Sequence, residues 1–191
     1  MYINKYRFEG LNMYTIRKSK LSDIEQIMNL FDMARKTMAT LGIDQWQDGY
    51  PYKENIMEDI RNDESYVVTG QNGVILATFM LMKRNESTYD RIYDGAWLTE
   101  KEVQYATIHR ITVLPESRAS AVSGKEEKPI SRIIIEYAKD FGKEHNLSGG
   151  IKIDTHEGNI AMRKMLEKNG FVYCGVILLA DGQKRVAYQL L

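Results

Sequence analysis

Apolar positions along this chain repeat with two periods, one helical and one strand-like. Ile24, Ile27, Met28, Phe31, Ala34, Met38 and Leu41 fall three and four residues apart, which predicts a long helix ended by Gly42. Ser22 and Asp23 supply N-cap oxygens at its start, and Glu25 follows Ser22 at the spacing of a capping box. Ile56, Met57 and Ile60 mark a second helix, from about Glu54 to Arg61. From Pro129 the set Ile130, Ile133, Ile134, Tyr137, Ala138 and Phe141 predicts a third, reaching about Glu144. Met162, Met165 and Leu166 place a fourth between Asn159 and Lys168, stopped by Asn169-Gly170. Between the helices lie seven strand-like runs. They start at Tyr14, Ser65, Val74, Ala106, Gly150, Phe171 and Arg185. Asn72-Gly73 is the strongest hairpin signal, and Asp181-Gly182 turns the last two runs. The order is an α+β (or α/β) pattern: a mixed, twisted sheet of about seven strands flanked by about four helices. The first twelve residues carry neither period, and "MYTIRKSKLSDIEQI" from Met13 looks like a natural start. The expectation is an upstream extension or an ordered arm over 1–12 and a single domain over 13–191.

Two stretches break the pattern. "IDQWQDGYP" (Ile43 to Pro51) is a loop with Gly49 and Pro51 in it, yet it holds Trp46 and Tyr50, which are costly to leave on a bare loop. Such residues pack down on the domain or line a pocket. A pocket wall is the expectation, because Asp44 and Asp48 add a charge that attracts amines. The run "NESTYDRIYDGAWLTEKEVQY" after Arg84 is long for a connection inside a domain, a length that often marks a functional loop, with Tyr89, Tyr93 and Trp97 as its anchors.

The stretch from Ala106 to Ile135 reads as a strand, a polar loop and a helix start. Backbone N–H groups presented this way suit a phosphate, and Arg118, Ser120, Gly124, Lys125 and Lys128 crowd the loop. A plain surface loop before an amphipathic helix is the competing reading.

Composition narrows the partners. The 26 basic and 26 acidic residues cancel, so no polyanion footprint is present and nucleic-acid binding is not expected as a main role. One cysteine, Cys174, excludes an internal disulfide and suits a reducing compartment. No apolar run approaches the ~20 residues that span a bilayer, and the N-terminus lacks the apolar core of a signal peptide. A soluble cytoplasmic protein without membrane attachment is expected. No metal-ligand spacing stands out.

Three pieces of the chain resemble the GNAT (GCN5-related N-acetyltransferase) superfamily, over about Met13 to Leu191. "YTIRKSKLSDIEQI" is similar to that family's first strand and helix, and "IHRITVLPESR" to its fourth strand and the start of its acetyl-CoA loop. "DTHEGNIAMRKMLEKNGFVYCGVI" resembles its later motif, with an Asn opening the helix after strand five and a Gly-Phe before strand six. The resemblance implies acetyl-CoA as cosubstrate and a splay between the fourth and fifth strands. The backbone of Ile111 to Val113, with Thr112 between them, would bond the pantetheine arm. Arg118, Ser120, Gly124, Lys125, Ile130 and Ser131 would meet the pyrophosphate, and Asn159 would touch the cofactor side. Trp46, Tyr50 and Trp97, with the Tyr50-Pro51 step, suggest a bacterial subgroup of unassigned acceptor.

The loop departs from the family pattern. Ala119, Ser120 and Ala121 follow Arg118 where a glycine is usual, and "PIS" stands where "GIG" or "GIA" is expected. Proline removes one N–H that would face the phosphate, although the first helical turn tolerates it. A lost charge-assisted bond is worth about 1.5–3 kcal/mol. The family's late-helix tyrosine, which protonates the departing thiol, is Leu166 here. Tyr173 or Tyr105 could replace it.

His109 is the first candidate for the base, since an imidazole titrates near neutrality and this one lies beside the splay. The alternative is a sheet histidine bonded to a neighbour. Asp154 would face the acceptor. Thr155 and His156 read rather as polar caps, and Cys174 as a core residue. The implied activity is acetyl transfer from acetyl-CoA to a primary amine, on a small molecule or on a peptide N-terminus or lysine, by a monomer or homodimer. The rival is a catalytically weak domain of this fold that binds acyl-CoA or a protein.

Overall fold

The computed structural model describes residues 5–6, 14–70, 73–115, 117 and 129–191. The chain forms two compact units, Met1–Met80 with Arg110–Ile133 and Leu81–His109 with Ile134–Leu191. Its strands are β1 (Lys5–Tyr6), β2 (Tyr14–Lys18), β3 (Ser65–Thr69), β4 (Ile75–Met82), β5 (Ala106–Val113), β6 (Ile151–Thr155), β7 (Val172–Leu178) and β8 (Lys184–Leu190). Its helices are α1 (Ile24–Thr40), α2 (Lys53–Arg61), α3 (Ile130–Glu144) and α4 (Ile160–Lys168). The seven longer strands and the four helices are those the apolar pattern predicts, and the sheet is mixed.

In the first unit β2, β3 and β4 pair antiparallel, with Ile16 opposite Val68 and Val68 opposite Ala77, and β1 adds two pairs to β2. The alternation places Ile16, Val68 and Ala77 in the interior, each 2% exposed or less. Ile27, Leu30 and Phe31 of α1 pack with Ile56 of α2 and with Val67 and Ile75. The start of α1 differs from expectation. A 3-10 turn, Leu21–Asp23, comes first, and the carboxylate that serves it is Asp23, not the Ser22–Glu25 pair. Asp23 accepts from the Lys20 N–H at 2.7 Å and from the Arg17 guanidinium at 2.7 and 3.0 Å.

Trp46 packs down. Its ring stands edge-on to Phe31, 5.6 Å between centroids, and it joins the α1 core. Of the two readings for the loop aromatics, packing down on the domain describes this contact, in which the half-buried indole adds to existing apolar surface. Tyr50 is tied instead to Arg110, which has φ +59, rare for a residue with a side chain. The Arg110 guanidinium donates from Nε to the Tyr50 hydroxyl at 2.7 Å, lies over the Tyr50 ring, and pairs with the buried Asp59 of α2. A strained backbone persists where surrounding contacts over-determine it, and this guanidinium supplies three of them.

In the second unit β6 pairs antiparallel with β8 along its whole length, and β8 with β7. Ile151 and Ile153 point to one face of β6, Lys152 and Asp154 to the other. Asn159 caps α4 through its Oδ1, which accepts from the Met162 N–H at 3.2 Å. Two glycines mark close approaches. A Cβ on Gly150 (φ +66) would meet the Leu190 carbonyl at 1.9 Å, and one on Gly95 would meet the Cys174 carbonyl at 2.0 Å. The latter contact, with the Tyr93–Val176 bridge, seats the long 84–105 segment on β7.

Removing the Arg110 guanidinium takes a countercharge from the buried Asp59. Arg110→Met is expected to lower unfolding free energy by about 3–5 kcal/mol in a urea titration. Adding Asp59→Leu should recover most of it, since the loss comes from a buried charge left uncompensated.

Candidate active site

The site is built where β5 and β6 part. Their parallel ladder covers only Ala106–Ile151 and Thr107–Lys152, whereas β6 stays with β8 out to Thr155. His109 of β5 and Asp154 of β6 therefore lie beyond the last paired residues, and both are half-buried. The 84–105 segment supplies the rest. Glu86 caps a 3-10 turn, Ser87–Tyr89, with its Oε1 accepting from the Thr88 N–H at 3.2 Å and hydroxyl at 3.0 Å. Its other oxygen lies 3.1 Å from His109 Nε2. The Tyr89 hydroxyl donates to Asp154 Oδ1 at 2.7 Å, and that same oxygen lies 3.8 Å from His109 Nδ1.

Electrostatics fixes the state of two of these groups. The His109 hydrogen bond, helped by Thr88 and opposed by burial, holds the Glu86 carboxyl down to about 2. Burial first, and the Asp154 charge second, push the Tyr89 phenol well above its ordinary value. Glu86 is thus an anion and Tyr89 a neutral donor at any physiological pH.

Behind this group runs a stripe of buried polar residues on the same face. Thr107, Lys152 and Gln189 are each 2% exposed or less. Gln189 is fully engaged, accepting from the Leu98 N–H and donating to Thr99 Oγ1 and the Gly149 carbonyl. Lys152 Nζ sits 3.9 Å from the Tyr105 ring centroid and 4.3 Å from that of Trp97, held by cation–π attraction. Burial pulls its ammonium down to about 8. Thr107 Oγ1 has no partner among the described residues. Trp97, Tyr105 and Tyr89 stack into one aromatic layer over the stripe, and Trp97 Nε1 donates to the Tyr89 carbonyl.

No family model matches the sequence, and no curated protein matches it. Solved structures do. An acetyltransferase of the GNAT family from Streptococcus agalactiae 2603 is 34% identical, with 98% of each chain covered and a TM-score of 0.79. The chain belongs to the GNAT family of acetyltransferases. A second GNAT acetyltransferase, from Listeria monocytogenes 4b F2365, is 21% identical over 98% of this chain and 100% of its own, with a TM-score of 0.66. YncA from Salmonella typhimurium, a structure with its cofactor acetyl-CoA, shares the fold at 14% identity, 93% and 92% coverage and a TM-score of 0.56.

Within this GNAT chain the candidates do not all converge. His109, Asp154 and Trp97 belong to the one cluster just described. Glu86, Tyr89 and Lys152 complete it; the signal for Tyr89 was its place as an aromatic anchor of the long polar segment, whereas Glu86 and Lys152 carry no motif. Asp154 has its own bond to Tyr89, and Trp97 faces Lys152. Tyr173 is 47% exposed on β7, edge-on to Tyr188, while Tyr105 is buried with its oxygen accepting from the Glu86 N–H at 3.3 Å. Ile111, Thr112 and Val113 follow Arg110 in β5, and the Leu114 N–H bonds the Leu76 carbonyl. Ile130 and Ser131 open α3, where helix geometry leaves N–H groups without an intrahelical carbonyl, and Pro129 contributes its carbonyl to Arg132 and Ile133. Arg118, Ser120, Gly124 and Lys125 lie outside the described residues. His156 Nδ1 accepts from the Gly158 N–H, a turn contact, and Cys174 is 4% exposed. A cavity of about 520 Å³ in the second unit, lined by Lys139, Leu147, Leu190 and neighbours, includes none of the clustered residues.

The Lys152 environment has a measurable signature. The unfolded chain binds this proton with a pKa of 10.5 and the folded one with a pKa of about 8, so the folded state gains stability as pH rises through that window. Urea unfolding between pH ~7 and ~10 should show that rise, at no more than about 1.4 kcal/mol per pH unit. In Lys152→Met it should disappear.

Proposed function

We propose that this GNAT protein is an acetyl-CoA-dependent N-acetyltransferase whose acceptor is a primary amine and whose general base is His109. The observation that carries this is the His109 ring, held by Glu86 and faced by Asp154, at the point where the β5–β6 ladder ends. Strands that part expose backbone N–H and C=O groups, a donor and acceptor set suited to an amide-bearing chain. The pantetheine arm of acetyl-CoA carries two amides, so the residues present fit it, with Ile111 to Val113 on β5 as the partners. The first-turn N–H groups of Ile130 and Ser131 and the positive end of α3 suit its pyrophosphate. Asn159, Arg118, Ser120, Gly124 and Lys125 complete the cofactor set in this reading. When bound, acetyl-CoA supplies an activated acyl thioester.

The chain's own residues do the rest. His109 takes a proton from the amine, and Asp154 receives another of its N–H groups. Trp97 bounds the acceptor. An N–H of the Ile111 region stabilises the developing oxyanion. Of the two tyrosines, Tyr105 is buried and already bonded, so Tyr173 is the acid. Its contribution is modest, because a thiol of pKa ~8.5 gains only ~2 kcal/mol from protonation at pH 7.

Acetyl-CoA should raise the melting temperature, and no shift at millimolar concentration would sink the proposal. Free thiol should appear with some member of an amine panel. His109→Ala should then lower kcat by about 10²–10⁴-fold with the melting shift kept. A stable complex without turnover on any amine would favour the acyl-CoA-binding domain instead.

A further inference from the structure

The geometry points to a specific division of labour around His109: Glu86 is a positioning residue that fixes the ring tautomer, and the space between His109 Nδ1 and Asp154 is the amine subsite. This rests on the N-acetyltransferase reading above and names the class of acceptor for it.

Both oxygens of Glu86 are committed as acceptors, Oε1 to Thr88 and Oε2 to His109 Nε2 at 3.1 Å. An anionic carboxylate offers no proton, so Nε2 must carry the hydrogen. In the neutral imidazole the lone pair is then on Nδ1. That lone pair faces Asp154 Oδ1 at 3.8 Å, too far for a hydrogen bond, and Oδ1 already accepts from Tyr89. Two acceptors thus confront each other, with no donor between them among the described residues. A protonated or neutral primary amine carries what both lack.

The proton balance follows. An ammonium gives one proton to Nδ1 and keeps two N–H groups, one of them directed to Asp154. Its freed lone pair forms the C–N bond to the acetyl carbonyl as the C–S bond breaks. The proton lost as the amide forms ends on the departing thiolate, and the one on Nδ1 returns to solvent.

The same charges define what is excluded. An acceptor with a carboxylate beside its nitrogen would set that anion against Asp154 and Glu86. Two like charges ~6 Å apart at an effective dielectric of ~20 repel enough to reduce binding about tenfold or more. The acceptor is therefore a cationic primary amine without an α-carboxylate, and a free α-amino acid is selected against.

Nitrogen-15 NMR of the histidine-labelled protein, at a pH where His109 is neutral, tests the first half without any acceptor. The expected spectrum shows a protonated Nε2 and an unprotonated Nδ1 for His109, assigned by loss of the signals in His109→Gln. In Glu86→Gln the two tautomers should mix. A proton on Nδ1 in the native protein overturns the assignment, and unchanged tautomers in Glu86→Gln overturn the role of Glu86. Amine pairs that differ only by an α-carboxylate, such as phenethylamine with phenylalanine and isobutylamine with valine, test the second. The carboxylate-free member should lead by at least about tenfold in kcat/KM, and Asp154→Asn should narrow the ratio. Equal or better use of the amino acid overturns the subsite. If the native protein shows the expected tautomer but His109→Gln keeps wild-type turnover, His109 falls as base and the positioning role of Glu86 stands.

Discussion

The second unit depends on where one ladder stops. β6 gives one edge to β8 for five residue pairs and the other to β5 for two. Beyond Thr107 and Lys152 the backbone groups on that side of β6 have no strand opposite them among the described residues. Side chains that follow the break, His109 and Asp154, are freed from the close packing of a continuous sheet face. They are also left needing partners, since a half-buried polar group without one is costly. The 84–105 segment answers that need with Glu86 and Tyr89. Its length, odd for a plain connection, lets it turn back over the sheet far enough to lay three aromatic rings and one carboxylate there.

The cluster holds polar groups in places where an apolar side chain would cost less. Lys152 is held by two aromatic faces in a dry setting, so its ammonium is disfavoured where an apolar side chain would be tolerated. Thr107 Oγ1 is buried without a partner among the described residues. Polar residues at such positions weaken a core, and their concentration on one face beside His109 is what supports the proposed site there. Gln189 shows the contrast. With each of its polar atoms bonded, it ties β8 to the 97–99 turn and to Gly149, and is a structural residue in polar form.

Much of the fold was legible. β5 runs from Ala106 to Val113, the span its alternating faces predict, and α3 follows its run of isoleucines almost to the residue. Periodicity reports which face is buried, and burial is what decides these elements. At the start of α1 the Asp23 oxygens were legible as cap candidates, while the choice of Asp23 over the Ser22–Glu25 pair was not, because it depends on Arg17 to hold the carboxylate. The contact of Trp46 was left open because a loop aromatic carries no period, and only the presence of Phe31 shows what it packs on. Within the candidate site, Asp154 could be picked out as a strand-end polar residue and His109 as an imidazole beside the splay that the resemblance implies. Glu86 could not, and Tyr89 only as an anchor of the long polar segment, since they lie 23 and 65 residues from their partners in a run without a period.

The amino-acid sequence by itself determined the order of strands and helices, the α+β class and the family resemblance, because all three are written in local spacing. Only the tertiary structure decided that His109 bonds a carboxylate through Nε2, that Tyr89 reaches Asp154, and that Lys152 lies between two rings. It alone showed the positive φ of Arg110 and the buried pair that holds it. The physical reason is range. Periodicity is set by a residue's neighbours along the chain, whereas a hydrogen bond is set by whatever the fold brings within about 3 Å.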